Sequence, residues 1–234
     1  MIEPDLIQRI VLLAVPILLA VTLHEVGHGW VAYLLGDATA KEMGRLSLNP
    51  LRHIDPVGTI IVPAVMVLLT GFVFGWAKPV PIDWRRLKHP RRDMVYVALA
   101  GPGVNLLLLI ISVVIMATTL KLGDPASRGV QFISYLCVSS ITINSVLMIL
   151  NLIPIPPLDG GRVLTGILPR HLAVKFAQIE RFGLPILVLL MISGLLGRII
   201  GIPLLLIYFI SSGVMGISVE QFLGILSLLF GHQG

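Results

Sequence analysis

IVLLAVPILLAVTLHEVGHGWVAYLLG (residues 10–36) is apolar for long enough to cross a bilayer, yet its second half carries His24, Glu25 and His28. About 20 apolar residues suffice for a crossing helix. Ionisable side chains inside such a run are costly and mark working sites. Whether this one is a metal centre or a proton relay has to be decided by the rest of the chain.

The rest is equally apolar. Of 234 residues, 56% are hydrophobic and 12% charged, against about half and about a quarter in soluble domains. Further apolar segments follow at about 57–74, 94–120, 130–153, 183–198 and 201–217, with a shorter one near 222–230. The pattern predicts an all-α polytopic membrane protein with about five to six transmembrane helices, embedded in a lipid bilayer. The polar connections are too short to hold a second domain, so residues 1–234 are expected to form one membrane-embedded unit. The N-terminus MIEPDLIQR places acids before its first Arg, so no cleaved leader is expected. A single cysteine, Cys137, excludes an intramolecular disulfide and a thiolate metal cluster. The net charge of +5 reflects loop placement and is not a nucleic-acid signal.

Lys and Arg concentrate in the connections 36–56, 75–93 and 154–182, with five basic residues within 85–92. The positive-inside rule makes these loops cytoplasmic and the N-terminus external, in a multi-pass protein of the cell membrane. Segment 57–74 then joins two loops on one side. It is expected to dip in and return, bending at Pro63.

His24, Glu25 and His28 spell H-E-x-x-H. On a helix the two histidines stand one turn apart on one face and can grip one metal ion, with Glu25 about 100° around the helix. With six His in the chain, chance occurrence of the pattern is of the order of a few in a thousand. The alternative is a hydrogen-bonded histidine pair in a helix bundle. A catalytic zinc site needs a third protein ligand. Asp159, in NLIPIPPLDGGR (151–162), is the acid best placed: Pro154, Pro156 and Pro157 forbid regular helix, and Gly160 and Gly161 allow a tight turn. Read alone, Asp159 serves equally well as a cap for a helix beginning near Arg162.

HEVGH followed by NLIPIPPLDGGR resembles the site-2 protease family of intramembrane zinc metalloproteases, and GRLSLNPLRHIDPVGT (44–59), GWAKPVP (75–81) and AGPGVN (100–105) are similar to its compact branch. The resemblance covers about 24–162. It implies one zinc ion on His24, His28 and Asp159, Glu25 as catalytic base, a catalytic core of about 5–165 and C-terminal helices of about 183–230. Asn151, eight residues before Asp159, matches a family asparagine that holds substrate or the oxyanion. Substrates implied are transmembrane proteins or leftover signal peptides. The PDZ and CBS modules of many relatives are missing, which would leave regulation to a membrane partner.

Three further readings concern substrate. GWAKPVPI suits an extended edge or short β-hairpin, since Pro79 and Pro81 exclude helix, and the family resemblance implies that this element is re-entrant near the active site. Lys78, Pro79 and Val80 are thus expected to pair with an unwound substrate. Asn105 is a substrate-binding candidate from another helix, and Asn144 shares a helical face with Asn151. The alternative for each amide is an interhelical hydrogen bond. His53 and Asp55 are expected to order a loop only. The two histidines sit toward the cytoplasmic end of their helix and Asp159 follows a helix ending on that side, so the site is expected below the cytoplasmic face. The rival class is a transporter or metal-handling protein using the same cluster, which should show paired halves that this chain lacks.

Cysteine labelling along 57–74 tests the topology. Re-entry predicts that no mid-segment position reacts exclusively from outside, and one that does so would establish a full crossing.

Overall fold

The structure is a computed structural model that describes residues 4–62, 75 and 77–230. The expected bend at Pro63, most of segment 57–74 and Trp76 lie outside the described residues. The described chain is helical: α1 (Leu6–Leu34), α2 (Thr39–Glu42), α3 (Pro90–Leu122), α4 (Arg128–Leu152), α5 (Asp159–Ile167), α6 (Arg170–Ala177), α7 (Glu180–Ile192), α8 (Leu195–Met215) and α9 (Val219–Phe230). A short 3₁₀ turn spans Pro50–His53, a π turn Pro56–Ile61 and a second 3₁₀ turn Trp84–Arg86.

Four of these helices, α1, α3, α4 and α8, are long and apolar enough to cross a membrane. Their exposed faces carry the signature of lipid contact. Leu106, Leu107, Ile110, Ile111, Val114 and Ile115 stand outward on α3, and Ile202, Leu205, Leu206, Phe209 and Ile210 on α8. Such stripes would be an aggregation hazard in water and are ordinary in hydrocarbon. Pro16, Pro102 and Pro203 lie inside crossing helices, where neighbouring groups can take up the freed carbonyls. The chain is therefore an all-α, multi-pass membrane protein.

The C-terminal boundaries differ from the hydropathy reading. The apolar run 183–198 is interrupted at Ser193 and Gly194, and the next helix starts at Leu195. Gly194 adopts φ +71°, the left-handed conformation that ends helices and favours glycine. Ser193 N–H and Gly194 N–H close back on Leu189 and Met191 carbonyls at 2.9 and 3.0 Å. Hydropathy does not register this stop, because serine and glycine are near neutral on that scale and the flanking residues dominate the window. The 13 residues of α7 reach about 20 Å, short of the roughly 30 Å hydrocarbon core.

The chain divides into two compact units, one of Met1–Ala20, Asn105–Leu150 and Arg198–Gly234, the other of Val21–Val104 and Asn151–Gly197. The first is a packed helix bundle. Leu12, Leu109, Val113, Met116, Val138, Ile141, Phe222 and Ile225 form its core. Tyr208 stacks on Phe222 with ring centroids 4.7 Å apart and donates its hydroxyl to Thr142 Oγ1 at 3.1 Å. A polar cluster ties the helices inside this apolar setting. Asn105 Nδ2 donates to Asn144 Oδ1 at 2.9 Å and toward the Ala20 carbonyl at 3.4 Å, and Ser112 donates to Ser140 at 2.8 Å.

The second unit is built from loops and short helices gathered on the C-terminal part of α1 and the start of α3. Ala32, Leu87 and Val97 form a small apolar cluster with Val31, Leu35, Ile82 and Trp84 against it. Asp37, 1% exposed, fastens the loop after α1. One carboxylate oxygen accepts the Thr39 N–H at 3.0 Å and the other the Asp83 N–H at 2.7 Å. Asp55 accepts the Val57 and Gly58 N–H groups at the head of the π turn, and His53 Nε2 donates to the Ser47 carbonyl at 2.9 Å. Both residues order a loop, as expected.

Asn105→Ala removes one partner from a fully buried amide pair and leaves Asn144 Oδ1 without this donor. The expected cost is about 0.5–2 kcal/mol, read as a lower midpoint in detergent unfolding, with zinc content unchanged.

Candidate metal centre

The site is assembled within the second unit from three helices. α1 supplies His24 and His28 one turn apart, with ring centroids 4.6 Å apart in an edge arrangement. α5 supplies Asp159 as its first residue. His24, His28 and Asp159 are 7, 5 and 5% exposed.

α3 orients the His28 ring from behind. His28 Nδ1 lies 2.6 Å from the Val97 carbonyl. A carbonyl only accepts, so Nδ1 carries the hydrogen and Nε2 presents its lone pair to the site. A backbone carbonyl holding the remote nitrogen of a histidine is the usual support for a metal ligand. Asp159 is the first helical residue, after a cap position held by Leu158 with no side-chain cap bond. Its Oδ2 lies 3.2 Å from both His24 Nε2 and His28 Nε2 instead, while the two Nε2 atoms are 3.0 Å apart. The capping reading of Asp159 is not what the helix start shows.

These separations provide a fit test. Tetrahedral zinc bonds of about 2.0–2.1 Å set neighbouring ligand atoms about 3.3 Å apart. The three observed edges are within a few tenths of that value. Asp159 Oδ2 is buried without a satisfactory hydrogen bond, a state that ordinarily costs stability and that a cation would relieve. Three lone-pair atoms, two imidazole and one carboxylate, form a donor set suited to zinc. Among the described residues, this is the group of His, Cys, Asp and Glu side chains able to hold a metal ion.

Two glycine features explain how the backbone permits this convergence. A Cβ on Gly101 of α3 would fall 2.6 Å from His24 Nε2 and into His28 Nε2. Any side chain there would occupy the ligand atoms' own space. Gly160 and Gly161 are helical and have no positive φ, so tight turning is not their role. A Cβ on either would run into the backbone at Leu152–Ile153 or Ile155–Pro156, and their bareness lets α5 seat Asp159 close to the preceding loop.

The other sequence candidates fall out as follows. Glu25 is half-buried, and its Oε2 accepts the Val80 N–H at 2.8 Å. Lys78, Pro79 and Val80 run past it outside any helix, and no strand is present among the described residues. Their polar groups are engaged: Lys78 N–H donates to the His53 carbonyl at 2.9 Å, and Arg45 Nη2 reaches the Lys78 and Pro79 carbonyls at 3.0 and 3.4 Å. Asn151 sits half-buried in the last turn of α4. Asn105 is fully buried, with its amide on Asn144 and Ala20. That is the interhelical pairing the sequence left open beside the substrate-binding reading. Three positions were missed: Val97, Gly101 and Arg45. A carbonyl has no sequence signature, but the glycine-rich AGPGVN motif was a usable pointer to a close approach.

Residues 116–194 match the model of peptidase family M50. The matched stretch contains Asn151 and Asp159, and the H-E-x-x-H residues precede it. The chain is 39% identical over 188 residues to YwhC of Bacillus subtilis (strain 168), a candidate zinc metalloprotease by name, covering 78% of this chain and 81% of that protein. It is 32% identical to Rip2 of Mycolicibacterium smegmatis, covering 77% of this chain and 66% of the relative, and 31% identical to Rip2 of Mycobacterium tuberculosis (strain H37Rv), covering 75% and 64%. Both Rip2 proteins carry the same candidate designation. No solved structure gives a significant match.

Gly101→Ala is expected to abolish stoichiometric zinc binding, whereas Gly103→Ala, whose Cβ would meet nothing within 4 Å, is expected to leave it intact. Metal analysis of the two purified variants checks this, since both changes raise helix propensity alike.

Proposed function

The chain belongs to peptidase family M50 and is an intramembrane zinc metalloprotease, and we propose that His24, His28 and Asp159 hold its zinc ion while Glu25 is its general base. The observation that carries this assignment is the buried triangle of Nε2, Nε2 and Oδ2 at 3.0–3.2 Å. Zinc bound there supplies a Lewis acid that activates water and polarises the scissile carbonyl.

The remaining work belongs to the chain. The Val97 carbonyl fixes the His28 tautomer and ring plane, so the nitrogen facing the site stays a lone-pair donor. Glu25, one residue from His24, takes a proton from water as the oxygen bonds to the carbonyl carbon. The C–N bond then breaks, and Glu25 returns that proton to the leaving nitrogen. The products are a carboxyl terminus and an amine terminus. The carbonyl oxygen gains negative charge and is stabilised by a donor placed to meet it. We assign that role to Asn151, on its spacing from Asp159.

The substrate is a transmembrane segment of another protein or a leftover signal peptide. In a helix its scissile carbonyl is hydrogen-bonded to the residue four positions later, so a stretch must unwind before attack. We assign the site to the cytoplasmic side of the cell membrane, a reading supported by the basic residues concentrated in the neighbouring loops and the positive-inside rule. Within those loops, Arg86 pairs with Glu42 at 2.9 Å and Arg85 with Asp83 at 3.0 Å. Such pairs belong at a hydrated surface.

Glu25→Gln is expected to retain zinc and to lower cleavage of a single-pass membrane reporter by about 10²–10⁴-fold. His28→Ala and Asp159→Ala are expected to lose zinc and cleavage together. Chelation should abolish wild-type cleavage and added zinc restore it. A Glu25→Gln protein that cleaves at the wild-type rate would overturn the assignment.

A further inference from the structure

The Lys78–Val80 segment occupies ground that a substrate needs. Glu25 must return its proton to the leaving nitrogen, so that nitrogen has to lie within hydrogen-bond reach of the carboxylate. Val80 N is an amide nitrogen in that relation, 2.8 Å from Glu25 Oε2. The Val80 side chain is 5% exposed. It is seated over Gly29, one helical turn beyond Glu25, where an added Cβ would lie 2.8 Å from Val80 Cγ1, 2.6 Å from Leu46 Cδ2 and 3.3 Å from Ala40 Cβ.

We propose that Val80 is an internal stand-in for the substrate residue following the scissile bond, and that Gly29, Ala40 and Leu46 form the apolar pocket receiving that residue's side chain. This rests on the reading of Glu25 as the base. The pocket's walls are a glycine, an alanine and a leucine, so its chemistry selects a small or β-branched apolar side chain. A charged side chain would enter without a partner, and a large aromatic one would collide with Leu46.

The stand-in is held by more than its pocket. Arg45 Nη2 donates to the Lys78 and Pro79 carbonyls, and the His53 carbonyl accepts the Lys78 N–H. Pro79 and Pro81 have no N–H to offer an incoming strand. Residues 78–80 therefore have no free N–H to offer a substrate while these bonds hold. Substrate entry requires the segment to leave Glu25, and Arg45 is the latch that opposes its leaving.

The test uses the full-length, zinc-loaded protein in detergent with a pool of single-pass reporters varied along the transmembrane segment. New amino termini are identified by mass spectrometry. Wild type is expected to yield termini dominated by Ala, Val and Ile. Leu46→Ala, with zinc retained, is expected to shift them toward Leu, Met and Phe. Arg45→Gln is expected to raise the rate roughly tenfold without changing the termini. Glu25-dependent cleavage whose termini ignore Leu46→Ala, or whose rate does not rise in Arg45→Gln, overturns the stand-in alone. Cleavage surviving Glu25→Gln, or none from either wild type or Arg45→Gln at full zinc, overturns the functional reading on which it rests.

Discussion

Two imidazole nitrogens and one carboxylate oxygen, all buried, converge within 3.2 Å of one another. Without a cation or shared protons among them such atoms repel, and burial denies them water as a remedy. The arrangement makes physical sense as a ligand set. Much of the second unit serves it: α1 gives the histidine spacing, α3 gives the Val97 carbonyl and the bare face at Gly101, and α5 begins at Asp159. Remove the cation's attraction, and the geometry becomes a cluster of unsatisfied acceptors in an apolar setting.

What could be read from residues alone divides along the range of the interaction. His24 and His28 are set by helical periodicity, which is local, so their shared face was legible. The crossing helices α1, α3 and α4 were legible because hydrocarbon imposes a length on any apolar run. The break at Gly194 was not, since it depends on a backbone conformation to which hydropathy is blind. Asp159 was ambiguous for a different reason. A carboxylate at a helix start can serve its own N–H groups or a distant partner, and only tertiary placement decides between them. Here the helix makes no cap bond and the carboxylate turns to the imidazoles. Gly160 and Gly161 were noticed for the wrong property, turning freedom, when close approach is what they provide.

The two units solve the polar-group problem in opposite ways. In the helix bundle, backbone groups are satisfied along each helix, and the few buried amides and hydroxyls pair across helices, as Asn105 does with Asn144. In the second unit, loops run where regular ladders do not exist, so side chains take over: Asp37 gathers two N–H groups from residues 44 positions apart in sequence, and Arg45 takes two successive carbonyls. Irregular backbone at membrane depth is tolerated only where protein or water surrounds it. A hydrolytic site needs that same irregularity, because it must admit water and an unwound peptide, neither of which a wall of uninterrupted helices can accept.

The contact between Glu25 and Val80 shows how such a site can be safe at rest. A proteolytic base left open inside a membrane would face every passing helix, although most helices resist attack through their own hydrogen bonds. Here Glu25, the base we propose, already holds an amide N–H, and the residue that provides it lies between two prolines. Proline fixes φ and lacks a donor, so the flanking positions keep the segment extended while offering nothing for an approaching chain to pair with. A substrate thus has to be unwound and also displace an occupant held by Arg45. Discrimination then lies in a competition between two extended peptides for one carboxylate, which sequence-independent burial of a transmembrane helix could not supply.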